Sequence, residues 1–121
     1  MSFIKKVFKW YNIKMSKDSF SEYVLYDLFG GIPYITSRKM FSGLGFYKDG
    51  VFFAFVSGGQ LYFKVGEINK YLFENLEESE QFSYIRQGKE IKLSFWSVPE
   101  KIFEDREKLF DFVYTSVCYR I

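Results

Sequence analysis

Cys118 is the single thiol of this 121-residue chain, and the chain has no histidine. A nucleophilic thiol needs a nearby cation or a helix N-terminus to ionise. Cys118 falls in the last turns of a C-terminal helical pattern, so it reads as inert packing. Without imidazole there is no Ser-His-Asp or Cys-His relay, no His-ligated zinc and no imidazole acid–base catalyst. One cysteine makes neither an intrachain disulfide nor a thiolate metal cluster, and it suits a reducing cytoplasm. Ser42-Gly43-Leu44-Gly45 is glycine-rich, but no Gly-Lys-Ser/Thr follows it, so it reads as strand glycines rather than a phosphate loop. Arg38, Lys39 and Lys48 flank that segment and are candidates to contact an anion; the competing reading is solvated strand-end charge. Glu77, Glu78 and Glu80 lack calcium-loop spacing, and Glu104, Asp105 and Glu107 sit where helix-start acids belong. No catalytic, cofactor-binding or metal-binding set assembles from these residues.

Aromatic residues make up 23% of the chain, from 16 Phe, 10 Tyr and 2 Trp, within an ordinary 48% hydrophobic and 26% charged composition. Rings bury much area per residue, which lets one short domain build a substantial core. Charge is uneven. The net charge is +2, yet residues 1–17 carry five lysines and no acid, leaving the remainder mildly acidic. In residues 1–15 the apolar side chains Phe3, Ile4, Val7, Phe8, Trp10, Tyr11 and Met15 fall on one helical arc, and Lys5, Lys6 and Lys9 on the opposite arc. Such a basic amphipathic segment suits contact with an anionic membrane surface or a partner. Structural docking on the domain is a second reading. A translation start at Met15, which would make residues 1–14 non-native, is a third. The chain thus divides into an arm, 1–15, and a domain, 16–121. No stretch is apolar for long enough to span a membrane.

The domain reads as alternating helices and hairpins. Phe20, Tyr23, Val24 and Leu28 predict a helix over 16–29, with Ser19 and Glu22 at capping-box spacing and Gly30-Gly31 as its stop. Strands are predicted at 40–47, 51–56 and 61–65, joined by Asp49-Gly50 and Gly58-Gly59. A short helix over 67–76 places Ile68, Tyr71 and Leu72 on one side. Strands 82–86 and 90–98 pair across Gln87-Gly88-Lys89, and Pro99 ends the second. Asp105 is the expected N-cap of a last helix with Leu109, Phe112, Val113 and Val117 as its buried stripe. The expectation is an α+β domain, an antiparallel sheet of about five strands with helices in the order α-βββ-α-ββ-α.

Over residues 16–120 these segments resemble the N-terminal domain of the TfoX (Sxy) competence regulators. Arg38-Lys39-Met40-Phe41-Ser42-Gly43-Leu44-Gly45-Phe46-Tyr47 matches the family pattern Arg-x-Met-Phe-Gly-Gly-x-Gly-x-Tyr. Asp49-Gly50-Val51-Phe52-Phe53-Ala54, Leu61-Tyr62-Phe63-Lys64-Val65, Phe82-x-Tyr84, Val98-Pro99-Glu100 and Glu104-Asp105 follow in the family's order. Ser42 replaces a glycine, and Phe112 stands where the family often has Trp. The resemblance implies a secretion-chaperone-like α+β fold. It makes Arg38, Met40, Phe41, Gly43, Gly45, Tyr47, Gly50, Leu61, Tyr62, Lys64 and Pro99 the family motif, with a mainly structural role. It also implies a non-enzymatic protein. Full-length members look like transcriptional co-activators that work with the cyclic-AMP receptor protein and carry a C-terminal domain, and the expectation from the resemblance is a single-domain member without it.

Three functions stand as expectations. The first is a cytoplasmic regulatory module without cofactor or metal that binds protein, a second copy of itself included. The second is direct nucleic-acid contact through the arm (Phe3, Lys5, Lys6, Lys9, Trp10) together with Arg38, Lys39 and Lys48. The third is a small-ligand binder or enzyme built on an aromatic-lined pocket.

Overall fold

Two-residue turns organise the sheet. Asp49-Gly50, Gly58-Gly59 and Gln87-Gly88 all hold positive φ at both positions, from 52° to 81°, the geometry whose twist matches that of paired strands. In the computed structural model, which describes residues 17–40 and 43–118, they join strands into hairpins. The elements are α1 (Lys17–Tyr23) running into a π turn (Val24–Leu28), β1 (Ile35–Met40), β2 (Gly43–Lys48), β3 (Val51–Ser57), β4 (Gln60–Lys64), α2 (Lys70–Glu74), β5 (Gln81–Arg86), β6 (Lys89–Ser97), a 3-10 turn (Glu100–Glu104) and α3 (Arg106–Ser116). The strands form one antiparallel sheet in the order β1-β2-β3-β4-β6-β5. The α+β class is therefore the one expected. The sixth strand is β1: residues 40–47 read as a single strand, whereas the structure ends one strand at Met40 and begins another at Gly43.

The helices lie on one face. Phe20, Val24 and Leu28 from α1 and its π turn, and Leu109, Phe112 and Val113 from α3, meet Phe46, Phe53, Val56, Leu61 and Phe63 of the sheet. Phe29 sits at the centre, 5.2 Å from Phe46 edge-on and 5.5 Å from Phe53, while Phe63 stacks on Phe112 at 5.7 Å. Asp105 caps α3 as expected, its carboxylate accepting from the Lys108 amide. Other helix ends differ from the sequence reading. Ser19 lies inside α1 rather than at its start. The first helix closes through a wide turn in which the Phe29 amide donates to the Val24 carbonyl at 2.9 Å. The left-handed residue that follows is Tyr34, not Gly30 or Gly31. Cys118 is exposed rather than packed.

Of the three residues expected on one side of the short middle helix, only Leu72 packs against the core. Ile68 and Tyr71 are 54% and 57% exposed, and Asn69 and Phe73 face inward. Polar bonding explains this. Asn69 accepts from the Gly66 amide at 2.9 Å and donates to the Lys64 carbonyl at 2.9 Å. Its amide also reaches Ser116 Oγ at 3.3 Å, and Ser116 donates to the same Lys64 carbonyl at 3.0 Å. This knot ties the end of β4, the approach to α2 and the last turn of α3. Buried polar groups that lose a partner carry the full desolvation cost. Asn69→Ala should therefore lower unfolding stability by about 1–3 kcal/mol, and Ile68→Ala should stay within about 0.5 kcal/mol of the parent; urea titration of both variants checks the contrast.

Candidate functional site

The motif residues gather on the face of the sheet that no described helix covers. Arg38 pairs with Gly45 and Met40 with Gly43 across β1–β2, and paired residues of an antiparallel ladder project to the same side. Tyr47 pairs with Phe52, Phe55 with Tyr62, and Lys64 with Phe95. Strict alternation would place Phe52 and Phe55 on opposite sides. Instead the β2–β3 register shifts between Phe46 and Tyr47, so Phe53 and Ala54 together oppose Phe46. This bulge sends Phe53 and Val56 to the helix side and brings Phe52 and Phe55 to the other. Of the remaining motif residues, Leu61 is buried in the core, Gly50 forms a turn and Pro99 precedes the 3-10 turn. Phe41 lies outside the described residues, as do Phe3, Lys5, Lys6, Lys9 and Trp10.

On the helix-free face the rings form a continuous cluster. Phe52 lies 5.3 Å from Tyr47 and 5.0 Å from Phe95. Phe55 stacks on Tyr62 at 5.0 Å and meets Phe82 and Phe95 with interplanar angles of 87° and 61°. Tyr62 meets Phe82 at 77°, and Phe82 continues to Tyr84. Phe55 and Phe95 are buried, whereas Tyr47, Phe52, Tyr62, Phe82 and Tyr84 are half-buried. Ile91, the register partner of Tyr84, extends the apolar surface. A bulged stretch of β6 accommodates this corner, with the Gln81 side-chain Nε2 donating to the Leu93 carbonyl at 2.9 Å.

Cations border the rings. Arg38 lies 5.8 Å over Tyr47 and Lys64 5.7 Å over Phe95. Arg86 and Lys89 are register partners on the same side at the β5–β6 hairpin. The ion pairs among the described residues are Lys48–Asp49 and Lys70–Glu67, so none of these four cations is neutralised by a described carboxylate. The structure does not unite Arg38, Lys39 and Lys48. Lys39 points to the opposite side of β1 from Arg38. Lys48 is buried, donating to the Pro33 carbonyl and to Asp49 at 3.3 Å each, between the rings of Tyr34 and Tyr114.

Concave sites elsewhere are modest. A cleft of about 300 Å³ holds Glu78 and Glu100 beside Phe20 and Phe103, and an apolar one of about 420 Å³ lies between Phe73 and Trp96. Among the described residues no three acidic or thiol side chains gather as metal ligands. No helix among them is long and apolar enough to cross a membrane. Sequence periodicity missed the ring face because the run from Val51 to Val56 is apolar on both sides of the sheet; the one legible signal was the motif itself.

Comparison with known proteins identifies a family. The family described as TfoX N-terminal domain matches residues 27–118, which takes in every strand and α3. No curated protein matches the chain.

Two predictions arise from the face. A Cβ at Gly43 would fall on the Val56 carbonyl, which is backbone, whereas one at Gly45 would meet the flexible thioether of Met40, with its sulfur at 2.7 Å. Gly43→Ala should destabilise by about 1–3 kcal/mol, Gly45→Ala by less, and Met40→Ala should relieve the second but not the first; denaturant midpoints test this. The Tyr62 phenol is held above its ordinary value of 10.0, first by burial and then by the charge of Glu80. Its protonated form is thus favoured in the folded state, and the stability this gives is present below pH 10 and lost as pH rises through the folded value. Tyr62→Phe should flatten that part of the alkaline stability profile, and Glu80→Gln should reduce it without abolishing it.

Proposed function

The chain belongs to the TfoX N-terminal domain family, and from that premise we propose that it is a non-enzymatic, cytoplasmic regulatory module that works by binding another protein. The observation that carries this reading is the placement of Arg38, Met40, Tyr47, Tyr62 and Lys64 on one helix-free face. A motif that served the helix-covered core alone would lie on the opposite side of the sheet. Here much of it forms an apolar surface with a charged border, the composition of a recognition face. The absent histidine and the solitary exposed thiol support a binding role over catalysis. The committed state of Lys48 weighs against the Arg38/Lys39/Lys48 nucleic-acid reading.

The test is genetic. Deleting the gene in its own cells should shift a reproducible set of transcripts. Wild-type protein should restore them, and a folded Arg38→Glu/Lys64→Glu variant should not. An unchanged transcript profile on deletion, or full restoration by the variant, would refute the reading.

A further inference from the structure

The regulatory reading leaves the partner open, and resting on it, we infer that the helix-free face takes an acidic protein segment bearing aliphatic or aromatic side chains. Charge selects this occupant. Arg38, Lys64, Arg86 and Lys89 all project from this face without a described carboxylate to neutralise them. The strand positions that share the face hold no Asp or Glu; Glu80 approaches from the margin beside Tyr62. A partner with carboxylates thus meets complementary charge, which raises encounter rate and fixes register.

The same arithmetic disfavours the nearer candidates. The chain's own first 17 residues carry five lysines and no acid, so docking them here would set like charge on like. A second copy presenting the same face would do so too. A single-stranded nucleic acid satisfies the charge but not the rings. Bases stack on exposed ring faces, and here Phe55 and Phe95 are buried, and Phe82 is turned edge-on to Phe55 at 87°. Such a cluster presents an apolar floor, which suits side chains laid against Phe52 and the stem of Lys64.

The experiment is selection from a random peptide library displayed on phage, using the full chain as bait, with an oligo-thymidine strand as competitor. Enriched peptides should be net negative and carry Leu, Phe or Trp. Their binding should weaken by about tenfold or more in Arg38→Glu/Lys64→Glu, and adding peptide to the wild-type chain should move the backbone amide resonances of Tyr47, Phe52 and Lys64. Neutral or basic enriched peptides, acidic ones indifferent to the charge reversal, no enrichment, or displacement by oligo-thymidine at lower concentration than by free peptide would each overturn the assignment. Failure of the selection in a chain whose deletion still shifts transcripts overturns this assignment alone. Successful selection in a chain whose deletion shifts nothing overturns only the regulatory reading.

Discussion

One residue inserted into β3 governs how the aromatic content is shared between the two faces. With Phe53 and Ala54 both opposite Phe46, the strand changes the side on which its remaining side chains emerge. Before the bulge Phe52 faces away from the helices, and after it Phe55 does the same, while Phe53 and Val56 enter the core. Paired in simple alternation, Val51–Ser57 would put Phe52 and Phe55 on opposite sides, and either the core or the outer cluster would lose a ring. Each such ring accounts for several kcal/mol of burial, of the order of 3–5 kcal/mol by truncation, so the bulge shapes packing on both sides at once.

The two faces then treat the same residue type differently. Lys48 and Lys64 end the two strands that flank β3. Lys48 falls on the helix side, where its ammonium finds a carbonyl, a carboxylate and two rings. Lys64 falls on the open side, its ammonium over Phe95, while its backbone carbonyl anchors the Asn69–Ser116 knot. Lys64 therefore connects the interior polar network to the outer surface through one residue, main chain inward and side chain outward.

What was legible in the sequence follows from how local the cause is. The turns were readable because two residues with positive φ demand Gly, Asn or Asp nearby, and the α3 cap because Asp105 acts within its own turn. The buried stripe of α3 was readable because Leu109, Phe112 and Val113 follow helical spacing. β1 was obscured because Thr36, Arg38 and Lys39 are exposed on an edge strand, with no apolar alternation to mark it. The inward side of α2 was misjudged because Asn69 is buried by hydrogen bonds that reach from Lys64 to Ser116, a distance no local pattern encodes. The ring face was hidden for a related reason: its register depends on a bulge, and an unbroken apolar run does not reveal where a strand changes step. The amphipathic arm falls outside the described residues, so its alternatives stand as the sequence left them.

The turn geometry also bears on how the chain assembles. β2–β3, β3–β4 and β5–β6 pair across two residues each, so most of the ladder closes between neighbours in sequence. The β4–β6 ladder is different, joining Tyr62 to Ser97 across all of α2 and β5. Contacts that bridge long stretches of chain close slowly, because their loop entropy must be overcome before any contact rewards it. The meander and the C-terminal hairpin are thus two locally determined halves, and the seam between β4 and β6 is where they become one cooperative sheet.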